Sequence, residues 1–473
     1  MSTICFYFQV HQPYRIKKYR IFDIGSDHDY FENHSHSNTD NIKILHKVMN
    51  KCYLPTNALL LKLLREHKEF KISFSLSGVF LNQIMDYAPE VLKSFQELVA
   101  TGQCEILAET FYHSLSAVYS EDEFHAQVAK HTQLVQKLFS VSPKVFRNTE
   151  LIYSNNIAKM AENMGFDGII TEGADQILQG KSPNQLYAPK DCSKIVALLK
   201  NYKLSDDIAF RFSDPNWQEH PLTADKYTHW LNQIEYAKGD QIINLFMDYE
   251  TFGEHQWESS GIFQFLDHLP KKFLDNSNNS FATPSEIVAK YGRKSQTVER
   301  MSSYLPNNKF PTKILLTVDT KNPNKPINIK VISPYLTSRR KVFYKRDLQI
   351  DNSKHLEELD VPEYISWADA ERDLSAWRSN PMQHEALEKI YSMEKSVKKA
   401  NNEELLEDWR KLTTSDHFYY MCTKFWSDGD IHAYFSPYQS PYEAFIYYMN
   451  VLKDVECRLQ QFETVKEKLT TIF

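Results

Sequence analysis

The sequence has no cysteine motif and no long apolar run. Its six cysteines are scattered over 473 residues without a Cys-x-x-Cys spacing, so neither a disulfide framework nor a cysteine-based zinc site is indicated. No stretch approaches the roughly 20 apolar residues that span a bilayer. The apolar run at the amino terminus is broken at Gln9 and His11 and follows no basic segment, unlike a signal peptide. These absences predict a soluble, cytoplasmic protein without a membrane partner.

An excess of positive charge is also missing. The net charge is −6, with 55 basic and 61 acidic residues interspersed, so no basic face is predicted and a nucleic-acid partner is disfavoured. The sequence shows no internal repeat and no low-complexity tract. Its 42% hydrophobic and 25% charged residues are an ordinary globular composition, and its length predicts two or three domains.

Short apolar runs alternate with segments of helical periodicity as far as residue 293. The runs predict strands at 3–10, 71–77, 104–108, 144–150, 167–171 and 241–247, with a further strand at 194–200, 207–212 or both. Among the helix signals, Ser120 is a predicted N-cap, Gly102 ends a helix, and Thr283 forms a predicted capping box with Glu286. This alternation is typical of βα units and predicts a parallel sheet or a barrel.

The pattern changes after residue 293. Residues 294–359 are rich in Lys and Asn and contain two β-like runs, at 313–318 and 327–332. We interpret this segment as an insertion that is partly β. Residues 360–473 have helical periodicity, with predicted helices at 367–378, 381–399, 403–413 and 441–473. The chain is therefore predicted to have a catalytic domain at 1–293, the insertion, and an all-α C-terminal domain at 360–473.

Two predicted strands deliver carboxylates. Glu150 ends one strand, while Asp248 and Glu250 follow the apolar run at 242–247. Because parallel strands bring their carboxyl ends to one edge, we expect these acids to share a site. Paired carboxylates are the equipment of glycoside hydrolysis, and a separation of roughly 5–5.5 Å is typical of the retaining mechanism. An ion pair or a strand-end cap is the alternative for either acid alone.

Local charge predicts different roles for the two acids. Arg147 and the polar residues after it favour an ionised Glu150, whereas the negative charges of Glu250 and Glu254 should raise the pKa of Asp248. This pattern predicts Glu150 as the nucleophile and Asp248 as the acid/base.

Two histidines, His11 and His113, also follow predicted strands. They could bind sugar hydroxyls or act as structural hydrogen-bond donors. With Asp248 they could instead form a three-ligand metal site, as in a metal-dependent deacetylase-like hydrolase. The residues alone leave these alternatives open.

Five segments, taken together and in order, resemble the sequence regions of the glycoside hydrolase family 57 α-amylases. They are HQP at 11–13, CEILAETFYHSL at 104–115, FRNTEL at 146–151, MDYETFGEH at 247–255 and WADAERDLSAW at 367–377. The resemblance implies an α/β fold with an incomplete (β/α)7 barrel, followed by a helical domain. It also implies cleavage of α-glucosidic bonds with retention and without a cofactor.

By the same resemblance, Glu150 corresponds to the family's nucleophile and Asp248 to its acid/base. His11, Glu109 and His113 should line the donor-side subsites. The sequence departs from the family pattern in the long segment 294–359, which precedes Val361-Pro362-Glu363-Tyr364.

Further substrate contacts are predicted from polar, aromatic segments. The candidates are Trp217 in a polar loop, Glu250, Trp367 and Trp377 in the fifth region, and Trp426, Asp428 and His432 in the loop 424–432, which should fold over the barrel mouth. A solvated inter-helix loop is the alternative for the last segment.

The predicted substrate is the α-1,4-linked glucan of starch, glycogen or maltodextrin. A 4-α-glucanotransferase or branching enzyme on the same fold is an alternative, as is an inactive carbohydrate-binding protein. The oligomeric state is not predicted.

Overall fold

The computed structural model describes residues 2–32, 38–234, 241–292, 313–317, 328–332, 356–426 and 431–472, with the backbone alone at 313–317, 328–332, 426 and 463–472. Its strands are β1 Ser2–Val10, β2 Ile72–Leu76, β3 Cys104–Ile106, β4 Val145–Arg147, β5 Gly168–Thr171, β6 Leu186–Pro189, β7 Val196–Leu199, β8 Gln241–Asp248, β9 Ser280–Phe281, β10 Lys313–Thr317, β11 Asn328–Ile332 and β12 Glu357–Leu359.

The helices lie between the strands and then dominate the C-terminal part. They are α1 Asn41–Val48, α2 Leu54–Glu66, α3 Gly78–Tyr87, α4 Pro89–Ala100, α5 Ser116–Tyr119, α6 Glu121–Phe139, α7 Asn155–Asn163, α8 Asp175–Leu178, α9 Tyr202–Ala209, α10 Ala224–Gln233, α11 Ile262–Leu274, α12 Pro284–Tyr291, α13 Ser375–Arg378, α14 Pro381–Ser392, α15 Glu394–Ala400, α16 Glu403–Leu412, α17 Ser415–Tyr419, α18 Ile431–Phe435 and α19 Pro441–Ile472.

Ten of the twelve strands in the described residues form two sheets. One has the order β3-β2-β1-β8, with β9 also paired to β1, and all of its pairs are parallel. The other has the order β12-β6-β7-β5-β4, in which only β6 and β7 pair antiparallel. A parallel bridge between Ala108 and Phe146 joins the two sheets where β3 ends. Beyond the end of β7, the backbone N–H of Asn201 donates to the carbonyl of Asn244 in β8, an edge strand of the first sheet, at 2.9 Å.

The central strand β1 is buried on both faces, as its apolar sequence predicts. Phe6 and Phe8 pack into a core cluster with helices such as α2, α4 and α11. Cys5 and Tyr7, which point the other way, pack with residues of the second sheet such as Val196. This alternation follows from the two-residue period of a strand. A separate cluster joins α6 and α7 to the C-terminal helices.

The local signals for helix ends are confirmed. The side chain of Ser120 caps α6, and Thr283 and Glu286 form a capping box at α12. Gly102 follows α4 with a φ of 75°, in the left-handed region that glycine adopts without steric cost. These features depend on residues a few positions apart in the sequence, so they can be predicted without knowledge of the tertiary structure.

Of the two segments offered for the further strand, 194–200 contains β7, which confirms that prediction. Residues 207–212 form no strand, because α9 continues to Ala209 after the Asn201 side chain caps its first turn. The predicted helix at 367–378 begins only at Ser375. Asp369 and Arg372 have φ of 54°, and buried ion pairs described below hold this loop in place. The sequence does not predict β6, β9 or β12.

Contacts divide the chain into two compact units. One comprises Met1–Arg293 with Leu356–Phe473, and the other comprises Lys294–His355. The second unit contains the antiparallel pair β10 and β11, which confirms the two β-like runs. The C-terminal helices lie in the same unit as the parallel strands, and the predicted domain boundaries stay predictions. Over the described ranges, no helix combines the length and apolarity needed to cross a membrane.

Candidate active site

A cavity of about 660 Å³ lies where the carboxyl ends of the parallel strands meet the C-terminal helices. It brings together six residues that the sequence predicts for the site, although they are far apart in the chain: His11, His113, Glu150, Asp248, Glu250 and Trp367. The clustering follows from the parallel sheet, which directs all strand ends to one edge.

The Glu150 carboxylate accepts three hydrogen bonds. His113 Nε2 and Ser415 Oγ lie 3.2 and 3.1 Å from its Oε1 atom, and the indole nitrogen of Trp367 lies 2.7 Å from Oε2. Glu150 and Leu151 have φ of 56° and 50° in the short turn after β4. Such left-handed backbone is strained for non-glycine residues and clusters at functional sites. The turn therefore aims the carboxylate rather than continuing the strand.

His113 bridges two carboxylates. Its Nδ1 atom lies 3.1 Å from Oε2 of Glu109, while Nε2 faces Glu150. Burial lowers the pKa of His113, but the hydrogen bonds to Glu109 and Glu150 outweigh this and raise it to about 9. The imidazole is therefore a cation at neutral pH, and both of its nitrogens donate.

Glu109 lies behind His113 and does not line the cavity. Its side chain is fully buried, and Ser75 Oγ donates to it at 2.6 Å. Burial raises its pKa, but the hydrogen bond from His113, together with the charges of His113 and Arg147, lowers it to about 2. The expectation that Glu109 contacts substrate is therefore corrected, since its carboxylate orients His113 instead.

The ionised state of Glu150 follows from these neighbours. Burial raises its pKa, but the hydrogen bond and charge of His113 and the charge of Arg147 outweigh burial and hold the pKa below its ordinary value. Arg147 thus acts as predicted. The two polar residues after it do not reach this carboxylate: Asn148 bonds to the Ile152 carbonyl, and Thr149 to Thr110.

Asp248 has the opposite tendency. Burial and the negative charge of Glu150 raise its pKa to about 6, partly opposed by the charges of Arg147, Lys200 and His113. The predicted direction agrees with this shift, but the predicted cause does not. The like charge comes from Glu150, across the cavity, rather than from the neighbours in sequence.

The structure explains why Glu250 and Glu254 do not supply that charge. Burial and the charge of Asp248 raise the pKa of Glu250 to about 8, and its Oε1 atom accepts a hydrogen bond from the Tyr53 hydroxyl at 2.5 Å. Glu250 is therefore neutral when Asp248 ionises. Glu254 is paired with Lys47 and Lys51, at 2.6 and 3.2 Å.

His11 stacks on His113, with ring centroids 4.0 Å apart and 17° between the planes. Its nitrogens face Ser77 Oγ at 2.7 Å and Asp416 Oδ2 at 3.0 Å. The ring nitrogens of His11 and His113 face different partners, so they do not converge on one point where a metal ion could bind. Within the described part of the chain, no group of three His, Cys, Asp or Glu side chains is arranged to hold a metal ion.

A buried group of four charges supports the Trp367 loop. Arg372 donates to Glu172 at 3.1 Å, to Asp206 at 3.2 Å and to the carbonyl of Trp367 at 2.5 Å. Lys200 Nζ lies 3.1 Å from Asp206 Oδ1. These contacts hold the Trp367 indole where it can donate to Glu150.

Sequence reasoning missed this group and two residues of α17. The four charges lie in separate segments, so only the fold joins them, although Arg372 lies within the fifth matching region. Ser415 and Asp416, which contact Glu150 and His11, come from the C-terminal helices. In the sequence, Ser415 and Asp416 look like ordinary polar residues at the start of a helix, and nothing there indicates a functional site.

Three further predicted substrate contacts, Trp217, Trp377 and His432, do not lie at the cavity. Trp217 packs against Trp230 beside the core, with ring centroids 6.2 Å apart, so its polar loop did not keep it from apolar surroundings. Trp377 is 1% exposed, and the prediction that it contacts substrate is wrong. His432 is buried behind two cavity residues, bonding Asp369 at 3.1 Å and stacking on Tyr419. The Trp426 side chain and Asp428 lie outside the described residues.

The chain matches a known family along most of its length. Residues 5–302 match the family model described as glycosyl hydrolase family 57. The chain belongs to this family. The resemblance of the five segments is thereby confirmed, and this family 57 chain is a glycoside hydrolase.

Curated relatives of this family 57 enzyme differ in length. A Methanocaldococcus jannaschii protein named as a candidate alpha-amylase is 36% identical over 467 residues, which cover 97% of this chain and 85% of that protein. An alpha-amylase of Pyrococcus furiosus is 23% identical over 50% of this chain and 36% of its own length. The chain thus spans about a third of that longer relative.

Solved structures of family 57 share the fold. The branching enzyme of Pyrococcus horikoshii superposes with a TM-score of 0.59 at 14% identity, over 89% of this chain and 85% of that one. The 4-alpha-glucanotransferase of Thermococcus litoralis gives 0.56 at 15% identity, over 88% of this chain and 55% of that one.

Proposed function

We propose that this family 57 enzyme cleaves α-1,4-glucosidic bonds of starch, glycogen or maltodextrins with retention of anomeric configuration. Glu150 is the nucleophile and Asp248 the acid/base. The observation that carries the proposal is the opposed protonation of two carboxyls in one cavity. Three donors and a neighbouring cation favour an ionised Glu150, while burial and the Glu150 charge keep Asp248 protonated up to about pH 6.

In the first step, Glu150 attacks the anomeric carbon as Asp248 gives its proton to the glycosidic oxygen. The bond to the leaving chain breaks, and a glycosyl ester forms on Glu150. The negative charge that raised the pKa of Asp248 is lost with ester formation, so the acid becomes easier to ionise.

In the second step, the ionised Asp248 takes a proton from water, and that water attacks the anomeric carbon. The ester bond breaks and Glu150 leaves as a carboxylate, which His113, Ser415 and Trp367 are positioned to stabilise. Two displacements at the same carbon restore the original α configuration.

The strand connections support an incomplete (β/α)7 barrel as the architecture. Through the Ala108–Phe146 bridge, β8, β1, β2, β3, β4, β5 and β7 follow one another, and the Asn201–Asn244 hydrogen bond joins the two ends. In this proposal, β6 and β12 lie outside the barrel as an extension of the sheet, in which β6 pairs antiparallel with β7.

Aromatic residues support a saccharide as the ligand. Trp367, Tyr419, Tyr434 and Phe435 line the cavity, and aromatic faces stack well on the C–H faces of sugar rings. The last two belong to α18, directly after the C-terminal loop predicted to cover the barrel mouth. The relative named as a candidate alpha-amylase supports α-glucan as the class of saccharide.

Incubation with maltoheptaose tests the proposal. NMR of the early products should show new reducing ends with the α configuration, because mutarotation is slower than cleavage at high enzyme concentration. The same rate is expected after dialysis against a chelator. Early β products would contradict retention, and strict dependence on added metal would contradict the carboxylate mechanism.

The same incubation distinguishes hydrolysis from glucan transfer. Hydrolysis yields only chains shorter than maltoheptaose, with one new reducing end for each bond cleaved. A transferase yields longer chains as well, without a net gain in reducing ends. The outcome depends on how well water competes with a sugar hydroxyl for the glycosyl ester.

A further inference from the structure

A second concave surface lies beside the proposed active site. It is a groove of about 720 Å³ between α2 and α11. Leu59 and Phe263 form part of its apolar lining, and Asn50 and Gln264 contribute side-chain amides. Trp257 also lines the groove and is 64% exposed. We call this surface the Trp257 groove.

The exposure of Trp257 is unusual for so large an apolar side chain. Tryptophan is highly buried on average, and the nearby Phe263 packs against the core. The backbone holds Trp257 in this position: its carbonyl accepts from Ser260 Oγ at 2.6 Å, in a turn that ends at Gly261 with φ of 85°. The exposed ring thus belongs to a hydrogen-bonded turn.

The charges of the groove favour a neutral ligand. Its lining includes two lysines, Lys51 and Lys62, and two carboxylates, Glu258 and Asp267. Lys62 and Asp267 pair with each other at 2.8 Å, and Lys51 pairs with Glu254 at 3.2 Å. A phosphate-bearing ligand would meet no excess positive charge here. An aromatic face with amides and carboxylates around it suits a neutral saccharide.

The groove borders the active-site cavity at an ion pair. Glu254 lines the cavity, and its carboxylate pairs with Lys51, which lines the groove. Gly253 fixes this boundary. Its φ is 111°, and a Cβ atom there would lie 2.0 Å from the Lys51 carbonyl oxygen. The chain from Glu250 to Trp257 therefore runs from the cavity to the groove, a span of at most roughly 25 Å if fully extended.

We propose that the Trp257 groove binds a distal stretch of the α-glucan chain whose scissile bond lies in the cavity. One polymer chain would then occupy both surfaces across the Glu254–Lys51 pair, with Trp257 stacking on a sugar ring. The inference rests on the proposed function, which supplies the glucan as ligand. A chain too short to leave the cavity gains nothing from the groove.

Substitution of Trp257 tests the inference through substrate length. Trp257→Ala should raise the KM for glycogen roughly 3- to 10-fold, and the effect on maltotetraose should be at least threefold smaller. Trp257→Phe, which keeps an aromatic face, should recover most of the glycogen affinity. Phe22→Ala is the matched control, since Phe22 is 88% exposed and lines neither surface. It should leave both substrates unaffected.

Binding without turnover separates this inference from the proposed activity. In native gels containing glycogen, with maltotetraose added to occupy the cavity, the inactive Glu150→Ala variant should be retarded, and the same variant that also carries Trp257→Ala should migrate faster. Equal migration of the two, or equal losses on glycogen and maltotetraose, would overturn the groove as a glucan site. A change in sedimentation of Trp257→Ala without a change in glycogen binding would assign the groove to self-association and overturn it too. If the wild type cleaves neither substrate, the proposed function fails, while the gel still decides on the groove.

Discussion

His113 Nε2 lies 3.2 Å from Oε1 of Glu150, while its Nδ1 lies 3.1 Å from Oε2 of the buried Glu109. The histidine cation thus links a buried carboxylate to the one that faces the cavity. Because both carboxylates favour the protonated imidazole, its charge persists to about pH 9. The charge of Glu109 therefore reaches the proposed nucleophile through His113.

Removing the Glu109 charge should lower the pKa of His113. In Glu109→Gln, the imidazolium loses one of the two carboxylates whose hydrogen bonds raise its pKa to about 9, so the pKa should fall by about one unit or more. An NMR titration of the His113 ring measures this change. Ser415→Ala is the matched control, because it removes a neutral donor from Glu150 and leaves both carboxylates beside His113. A His113 pKa at the wild-type value in Glu109→Gln would show that Glu109 has only a structural role.

Replacing either proposed catalytic acid should abolish most turnover. Glu150→Ala and Asp248→Ala should each lose roughly a thousandfold or more in kcat on maltodextrins while staying folded, since each removes a partner of both displacement steps. Circular dichroism checks the fold, and reducing-end assays measure the turnover.

Azide distinguishes the two roles. With α-maltosyl fluoride, whose leaving group needs no acid, Glu150→Ala should give the β-azide, because azide replaces the missing nucleophile in a single displacement. Asp248→Ala should give the α-azide, because Glu150 still forms the ester that azide opens. Reversed products would exchange the assignments, and wild-type turnover of either variant would remove that residue from the mechanism.

The pH profile should be bell-shaped, with its alkaline limb near the Asp248 pKa of about 6. The acid limb should lie below the ordinary Glu value of about 4.3, because the His113 cation stabilises the Glu150 carboxylate. Both limbs describe the coupled pair. Glu250→Gln should leave the alkaline limb in place, since Glu250 is still protonated when Asp248 ionises. A move of that limb to lower pH would show that Glu250 carries charge in the working enzyme.

Glu250 should also make stability fall as pH rises. Its pKa is about 8 in the folded protein and about 4.3 in an unfolded chain. Between these values the folded state holds a proton that the unfolded state has released, so raising the pH favours unfolding, by at most about 1.4 kcal/mol per pH unit. Glu250→Gln cannot ionise, and urea titrations should show it gaining stability over the wild type from pH 5 to pH 8.

Glu254→Gln is the control of opposite sign. Hydrogen bonds and charge from Lys47 and Lys51 outweigh burial and lower the pKa of Glu254. The ionised Glu254 therefore stabilises the fold at pH values above its pKa in the unfolded chain, and this stabilisation is lost as the pH falls through its pKa in the folded protein. This variant should be less stable than the wild type at neutral pH and similar to it in acid. Parallel stability curves for wild type and Glu250→Gln would contradict the raised pKa of Glu250.

The sequence by itself determined the local parts of this protein. The strand at 3–10, the caps at Ser120 and Thr283, and the glycine after α4 depend on a few adjacent residues, and they appear where predicted. The sequence also predicted that Glu150 and Asp248 share a site, because each follows an apolar strand and lies in a matching family segment, and both line one cavity. Parallel strands then oblige such residues to share one edge.

Only the tertiary structure decided which groups surround those acids and why their pKa values differ. Glu150 rather than Glu250 supplies the like charge on Asp248, and Ser415 arrives from a helix 265 positions away. Residues 367–374 have a helical pattern in the sequence but form a loop, because the ion pairs of Arg372 with Glu172 and Asp206 stabilise the loop more than local helix propensity stabilises a helix. Trp377 entered the core while Trp257 stayed exposed. Hydrogen bonds and charges act over distances in space. When two partners come from different helices or strands, their positions in the sequence do not reveal that distance.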